Sequence, residues 1–264
     1  MKKFLNLLLI TMLFYSCSEY QKALKSDDVA VKFEMATKLY ESGKYSKAIR
    51  IFEIIAPAYR GKPQAEKMFY LFSQSYYKTK QYYLAAYQFE SFVSSYPKSE
   101  KIEEAAFLGA KSHYMLSPSY SLDQTDTFKA INKLQDFIDT YPNSNYIVEA
   151  NSTLKTLTDK IEKKVFENAK QYNTISDFKS AIVALDNFIS DYPGTIYKED
   201  ALFYKFDSSY KLAINSVAAK MQERLVNAKV AYGNLIKNNQ NKEYKEKADQ
   251  MLARIDKDLQ QFPK

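Results

Sequence analysis

Hydrophobic and small residues recur in a thirteen-residue phrase that the chain contains three times, at residues 85–97, 130–142 and 181–193. Each copy opens with Ala, has a bulky residue at offset 4, Phe at offset 7 and an aliphatic residue at offset 8, and closes with Tyr-Pro. Offsets 0, 4, 7, 8 and 11 lie on one face of an α-helix. Proline then ends the helix, because it lacks an N–H group and restricts the preceding residue. The phrase therefore predicts three amphipathic helices with a common stop.

Weaker copies of the phrase flank the three strong ones and begin at Ala48 and Ala228. The five leading alanines are separated by 37, 45, 51 and 47 residues. A helical phrase that returns at such a period is typical of helical repeat proteins. We therefore predict an all-α fold: a tetratricopeptide-like helical solenoid of about five helix-turn-helix repeats with a C-terminal capping helix.

The first repeat shows the turn chemistry most clearly. Its first helix is predicted over residues 31–42, and Gly43 to Phe52 match the tetratricopeptide pattern Gly-x-Tyr-x-x-Ala-x-x-x-Phe. In the strong copies, Ser99, Ser144 and Thr195 lie two residues after the proline, where a hydroxyl can cap the next helix. The capping box is not completed at any of the three.

The later repeats are less regular. The pattern predicts repeat two over 65–97, a polar insertion in repeat three over 117–127, a long helical run from 146 to about 174 with a turn at 172–175, repeat five over 197–239, and a last helix over 244–259. The insertion is either a functional loop or a tolerated one. The last helix is predicted to cap the solenoid, and its charged face would equally suit a docking surface.

The N-terminus carries the features of a lipoprotein signal. Lys2 and Lys3 precede an apolar stretch of 11 residues, Phe4 to Phe14, which is too short to span a bilayer. Ser16 before Cys17 resembles a bacterial lipobox, in which the cysteine becomes the first mature residue and carries lipid chains. A secretory signal with an incidental cysteine is the alternative, but a lone exported cysteine cannot form an internal disulfide. Two or three acyl chains would anchor the protein stably.

These features divide the chain into four parts. They are a cleaved signal peptide (1–16), a lipidated tether (17–29), the N-terminal repeats 1–3 (30–144), and the C-terminal repeats 4–5 with the capping helix (145–264).

Composition and charge narrow the class of function only slightly. The chain has 46% hydrophobic residues, 23 Tyr and 17 Phe, which suits a helix-rich globular protein. Without Lys2 and Lys3, 36 basic and 31 acidic residues remain, and they are interspersed. They form either a solvated repeat surface or a surface for lipid headgroups or acidic partners. Nucleic acid is not an expected partner of an exported lipoprotein.

Residues that could support enzymatic chemistry are scarce. His113 is the only histidine, so no His-Glu-x-x-His motif exists, and we expect it to be a packing or surface residue. The five glycines form neither a phosphate-binding loop nor a Gly-x-Ser-x-Gly elbow. Carboxylates such as Glu103 and Glu104 lie at helix starts, where they complement the helix dipole. We predict a non-enzymatic protein with no catalytic residue, no cofactor and no metal.

Several segments together resemble one lipoprotein family. They are 17–26, 48–53, 58–61, 92–97, the Ser-Pro-Ser-Tyr-Ser-Leu-Asp-Gln-Thr loop at 117–125, and 137–144. With the lipobox and the repeat spacing, they are similar to the BamD family of outer-membrane assembly lipoproteins, in the form found in Bacteroidetes. The resemblance covers nearly the whole chain from Cys17 onward.

The resemblance implies a lipid-anchored protein of the outer membrane that faces the periplasm. Its implied partners are the periplasmic domains of a BamA-like barrel protein, bound through the C-terminal repeats, other lipoproteins of the assembly complex, and unfolded outer-membrane proteins. The N-terminal repeats would receive the targeting strands of those unfolded barrels. On this basis, Tyr40, Phe69, Tyr76 and Tyr77 are candidates for an aromatic peptide-binding surface. The alternative is that they pack between helices.

Two other classes of function share the repeat features. One is an adaptor or scaffold lipoprotein of another envelope complex, such as one for polysaccharide or nutrient uptake. The other is an accessory enzyme or lipoprotein hydrolase, which would need a catalytic set that the sequence does not show.

Overall fold

The computed structural model of the chain describes residues 19–238 and 240–262, and every regular element within them is an α-helix. The predicted signal peptide and the lipid site Cys17 lie outside the described residues. The helices are α1 (19–25), α2 (Val29–Glu41), α3 (Tyr45–Tyr59), α4 (Ala65–Lys78), α5 (Tyr82–Ser95), α6 (Ile102–Leu116), α7 (Thr125–Thr140), α8 (Ile147–Thr174), α9 (Phe178–Asp191), α10 (Lys198–Ile214), α11 (Ala218–Asn238) and α12 (Lys242–Leu259). This succession of helix pairs confirms the predicted all-α repeat fold.

The chain divides into two compact units. The first comprises the chain up to Pro118 together with Gln124–Lys155, and the second comprises Ser119–Asp123 and the chain from Thr156 onward. In the first unit, α2 to α7 pack in chain order, each helix against the next. In the second unit, α9 packs on α10 and α10 on α11, and α12 covers both α10 and α11.

The recurring phrase forms the core. The leading alanines of all five copies are completely buried, and each phenylalanine at offset 7 is at most 3% exposed. A small side chain at the first position lets the neighbouring helix approach, and the rings fill the space beside it. These residues are Ala48, Ala85, Ala130, Ala181 and Ala228, with Phe92, Phe137 and Phe188.

The Tyr-Pro pair ends three helices in the same way. The backbone N–H of Tyr96, the C-cap of α5, donates to the carbonyl of Phe92 at 2.9 Å, and the two rings lie 5.1 Å apart. Tyr141 and Tyr192 repeat this arrangement after α7 and α9. The tyrosine therefore closes the last turn and folds back onto the phrase.

The hydroxyls that were predicted to cap the following helices instead accept hydrogen bonds in the turn before each helix. The Oγ of Ser99 accepts the N–H of Lys101 at 3.0 Å, and Lys101 itself is the N-cap of α6. Ser144 and Thr195 likewise accept an N–H two residues ahead. They stabilise the turn that leads into the helix, because the helical backbone begins three residues after the hydroxyl.

The turns inside the helix pairs use a left-handed residue two positions past the first helix. Gly43, Lys80 and Ser176 have φ values of 73°, 60° and 66°. The next residue in each turn donates its N–H five residues back, as from Lys44 to Leu39 at 2.8 Å. The turn of the fourth pair therefore follows Thr174, later than the predicted 172–175. The fifth pair breaks between Ile214 and Ala218, where the sequence shows neither Gly nor Pro.

Candidate functional site

The first helices of successive pairs in the first unit meet along one row of side chains. We call this the first-helix row, and its members come from α2, α4, α6 and the start of α8. They are Tyr40, Tyr70, Gln74, Tyr77, Glu104, Lys111 and Glu149.

One end of the row is a hydrogen-bonded group around Gln74. Its Nε2 donates to the hydroxyl oxygen of Tyr70 at 2.9 Å and to Oε1 of Glu104 at 3.4 Å. Lys101 pairs with the other oxygen of Glu104 at 3.2 Å. Burial, and then the hydrogen bond to Glu104, raise the pKa of Tyr70. Burial also raises the pKa of Tyr40, with further contributions from Tyr45 and Glu104. Both phenols therefore stay protonated and keep a donor.

The other end of the row is built on an ion pair between two helices. The Nζ of Lys111 on α6 lies 2.5 Å from Oε1 of Glu149 on α8. The hydrogen bond to Glu149 raises the pKa of Lys111 despite partial burial. Tyr77 lies beside this pair, and its pKa is raised chiefly by burial. Its ring meets the edges of Tyr82 and Phe89 at 5.7 and 6.4 Å between centroids.

This arrangement is suited to binding a peptide. Partly buried phenol rings offer contact area at low entropic cost, and the amide, carboxylate and ammonium groups can exchange hydrogen bonds with a peptide backbone. Among residues 19–238 and 240–262, no group of three or more His, Cys, Asp or Glu side chains could hold a metal ion.

The four predicted peptide-binding residues divide between two sides of α4. Tyr40 and Tyr77 lie in the first-helix row. Tyr76 is 4% exposed, lies 4.8 Å from the Phe72 ring, and donates its hydroxyl to Oε1 of Glu53 at 2.8 Å. Burial is the first cause of its raised pKa. Phe69 is half-buried and faces Tyr96 at 6.4 Å. Their peptide-binding role stays a prediction.

Phe69 and Tyr76 line an open groove between α3 and α5. One part of it has a volume of about 540 Å³ and includes Phe69, Phe72 and Arg60. An adjoining part, of about 450 Å³, includes Tyr76 and shares Arg60 and Phe72 with the first. The aromatic residues of α4 therefore serve two surfaces.

Tyr70, Gln74 and Lys111 were not predicted as site residues. Tyr70, Gln74 and Tyr77 are spaced at i, i+4 and i+7, so a helical-face reading of α4 could have grouped them. Lys111 carries no such local signal, because its partners lie on other helices.

His113 was expected to be either a packing or a surface residue, and the structure places it in the interior. It is 5% exposed, and its Nε2 lies 2.9 Å from Oε1 of Glu90. Lys133 approaches the same oxygen at 3.1 Å. Burial by itself would raise the pKa of Glu90, but the hydrogen bonds from His113 and Lys133 bring it below its usual value.

Residues of the predicted insertion in repeat three make contacts within each of the two units. In the first unit, the hydroxyls of Ser117 and Thr127 lie 2.6 Å apart. In the second unit, Lys164 donates to the carbonyl of Leu122 at 2.6 Å, and the Nζ of Lys163 lies 4.4 Å from the centre of the Tyr120 ring. The loop is shorter than predicted, because α7 begins at Thr125.

Within the part of the chain that the structure describes, no helix is long and apolar enough to cross a membrane. The chain resembles solved tetratricopeptide structures only distantly. The complex of the TPR2AB domain of yeast Sti1 with pHSP90 aligns with a TM-score of 0.39 and 13% identity, over 86% of this chain and 98% of that one.

Relatives by sequence are closer. The outer membrane protein assembly factor BamD of Rickettsia prowazekii is 27% identical over 195 residues, which are 73% of this chain and 76% of the relative. The protein of the same name from Haemophilus influenzae is 21% identical over 231 residues, 84% of this chain and 88% of the relative. The family model YfiO, described as outer membrane lipoprotein, matches residues 25–225. Since that match covers well over half of the chain, the chain belongs to the YfiO family of outer membrane lipoproteins, as the resemblance to BamD predicts.

Proposed function

We propose that this protein is a non-enzymatic component of the machinery that assembles β-barrel proteins in the outer membrane. The observation that carries the proposal is the family match over residues 25–225, together with relatives of similar extent that are named assembly factors. In this proposal a lipid on Cys17 anchors the protein to the outer membrane, and the repeats face the periplasm. Its partners are a BamA-like barrel protein, other lipoproteins of the complex, and unfolded outer-membrane proteins.

The first-helix row is the proposed receptor for an extended strand of an unfolded barrel. Tyr40 and Tyr77 provide aromatic contacts, and the partly exposed pair of Lys111 and Glu149 offers polar groups to the strand. Gln74, which is 6% exposed, holds Tyr70 and Glu104 in place. Tyr76 and Phe69 lie on the other side of α4 and support the row indirectly. The hydroxyl of Tyr76 donates to Glu53 and so holds α4 against α3. The proposal is supported by the chemistry of the row, since aromatic and polar groups lie side by side on α2, α4, α6 and the start of α8.

The second unit offers a different surface for the barrel protein. Val183 on α9 and Val226 and Val230 on α11 are 60%, 49% and 60% exposed. Val230 lines a cavity of about 270 Å³ among α9, α10 and α11, together with Ile182 and Leu212, and Val183 and Val226 are exposed on the same two outer helices. Exposed apolar side chains around a cavity suit a protein partner, so we propose this face for the periplasmic domains.

The complex can be tested by a pull-down from native membranes in mild detergent, with a C-terminal tag and partners identified by mass. Recovery of a large barrel protein with tandem periplasmic domains is the expected result. Recovery of polysaccharide- or nutrient-uptake components without such a protein would replace the assembly role with the adaptor role.

Peptide binding by the row can be tested separately. A labelled peptide with the sequence of a barrel protein's last strand is titrated with the protein, and binding is read from fluorescence anisotropy. Tyr77→Ala is expected to weaken binding about 5- to 30-fold, as for an aromatic interface residue worth about 1–2 kcal/mol. Tyr83→Ala is the matched control, because Tyr83 is 71% exposed on α5 and lies outside the row. Equal effects of the two substitutions would refute binding at the row.

A further inference from the structure

Helix α1 is packed on the first repeat, although its residues fall within the predicted tether. Tyr20 is 7% and Ala23 is 3% exposed, and Tyr20 belongs to the hydrophobic core of the first unit. Glu19 forms an ion pair with Lys38 of α2 at 3.0 Å. The Nζ of Lys47 on α3 lies 5.4 Å from the centre of the Tyr20 ring. Residues from Glu19 onward are therefore part of the packed first repeat.

This packing leaves almost no chain between the lipid site and the folded domain. Cys17 precedes Glu19 by two positions, and two residues of extended chain span at most about 7 Å. If Cys17 carries lipid chains, which is part of the proposed function, the start of α1 must remain within about that distance of the bilayer surface. The lipid anchor would then fix which face of the first repeat meets the membrane.

The surface at this end has the groups that bind phospholipid headgroups. Lys22 and Lys25 are exposed on α1, and neither forms an ion pair with any residue that the structure describes. Glu19, the acidic residue of α1, is already paired with Lys38. Three further acids lie nearby: Asp27 and Asp28, of which Asp28 accepts the N–H of Ala30 at the start of α2, and Glu34 on α2. Unpaired lysines close to a membrane are attracted to anionic lipids, and their aliphatic stems tolerate an apolar boundary.

An open cavity of about 440 Å³ lies between α1 and α2 beside these lysines. Ala23, Val31 and Met35 provide its apolar part, and Val31 is 43% exposed. Its polar part comes from Lys22 and Lys38 together with Glu19 and Glu34. A mixed surface of this kind fits the boundary between headgroups and acyl chains better than it fits bulk water.

We propose that α1 and the start of α2 form a membrane-contact surface, in which Lys22 and Lys25 bind the phosphates of anionic phospholipids. The first unit then keeps one orientation relative to the bilayer, whereas a flexible tether would let it rotate freely. The inference rests on the lipid at Cys17 and goes beyond the assembly role, because it assigns the surface that faces the membrane.

The contact can be measured with the full-length lipidated protein in vesicles. Gln21→Cys places a fluorophore on the exposed side of α1, and Asn132→Cys places the same fluorophore on the exposed side of α7 as a control. The vesicles contain anionic phospholipid and a lipid with a nitroxide on its headgroup, which quenches nearby fluorophores. Strong quenching at position 21 and weak quenching at position 132 are expected. Quenching at 21 that is no stronger than at 132 would overturn the proposal.

A longer linker between Cys17 and α1 separates the effect of Lys22 and Lys25 from the effect of the lipid anchor. Inserting 20 Gly and Ser residues between Ser18 and Glu19 gives a linker with a root-mean-square length of about 25 Å. Quenching at position 21 should persist in anionic vesicles. The equilibrium constant for membrane contact should then fall about 5- to 30-fold for each of the substitutions Lys22→Glu and Lys25→Glu, because each replaces a positive charge by a negative one. Lys98→Glu and Lys179→Glu, at two exposed lysines elsewhere, give the same change in net charge and should have little effect.

The outcomes separate this inference from the proposed anchor. Loss of quenching after linker insertion, with both lysines intact, would show that they do not bind lipid. The mass of the mature protein reports the lipid independently. Absence of lipid on Cys17 would overturn both the anchor and this inference, whereas a lipidated protein without quenching at position 21 would overturn this inference alone.

Discussion

Alanine at Gly109 tests how closely α5 and α6 approach each other. A Cβ atom at Gly109 would lie 3.2 Å from the Cβ of Phe89, a distance shorter than ordinary van der Waals contact. Phe89 is completely buried, and its ring contacts Tyr77 of the first-helix row. Phe89 therefore has little room to move away, and its position also affects the proposed binding surface.

Two effects of opposite sign decide the outcome. Replacing glycine by alanine inside a helix stabilises it by about 1 kcal/mol. Overpacking a well-packed core costs about 1–3 kcal/mol. Because the close atom is the Cβ of Phe89, next to the backbone, rotation of the ring cannot relieve the contact. We expect Gly109→Ala to lower the free energy of unfolding of the first unit by about 1 kcal/mol.

Gly233 supplies the matched control. It lies inside α11, and a Cβ there would meet nothing within 4 Å. Gly233→Ala should therefore show the helix-propensity gain alone, about 1 kcal/mol of added stability in the second unit. Native-state hydrogen exchange read by mass spectrometry follows the two units separately. If Gly109→Ala protected α5 and α6 as much as Gly233→Ala protects α11, the reasoning about close packing would be refuted.

Three further substitutions follow from the structure, and each can be checked by urea unfolding. Gly43→Ala should lower stability by about 1–2 kcal/mol because its φ is 73°. The control Gly194→Ala, without positive φ or close neighbours, should change stability by less than about 0.5 kcal/mol. Tyr76→Phe should cost about 1 kcal/mol, since it removes the donor to Glu53, and an unchanged midpoint would contradict this. The hydrogen bond to Asp249, and then burial, raise the pKa of Tyr232 to about 12. Its stabilisation is therefore complete below about pH 10 and is lost as the pH rises towards 12. Tyr232→Phe should flatten the fall in stability over that interval, and an equally steep fall would refute the assignment.

The sequence predicted the buried faces well, because burial and helical spacing are linked directly. A helix places offsets 0 and 7 on the same face, so the alanine and the phenylalanine are buried together. The helix ends at Tyr-Pro were equally predictable, since the proline ring itself fixes φ and removes the N–H group.

The turns were harder to predict, because their strain is offset by hydrogen bonds that involve no particular side chain. Lys80 and Ser176 occupy the left-handed position that Gly43 occupies in the first pair. Backbone bonds such as that from Gln81 to the carbonyl of Tyr76, at 2.9 Å, close the turn whatever the side chain. A search for glycine therefore finds one of these three turns and misses the other two.

The candidate site was only half predictable for a related reason. Aromatic residues occur around much of α4, which packs on both α3 and α5, so their spacing does not say which of them face the first-helix row. What distinguishes Tyr70 and Tyr77 is their polar partners, Glu104 and Lys111, which come from the next repeat. Such pairings depend on how the repeats stack, and a single helix does not encode them.

The energetics of the row bear on whether a strand could enter it. The Lys111–Glu149 pair is partly exposed, with side chains 27% and 52% accessible. An ion pair of this kind contributes about 0–1 kcal/mol, so opening it costs little. A carboxylate on an incoming peptide could replace Glu149 as the partner of Lys111 without leaving a buried charge unpaired. At the other end, Gln74 donates to Tyr70 and to Glu104, and these hydrogen bonds keep the empty row stable until a strand offers equivalent ones. If peptide binds at this row, its affinity must then come mainly from the aromatic contacts, which is why Tyr77→Ala is the decisive substitution.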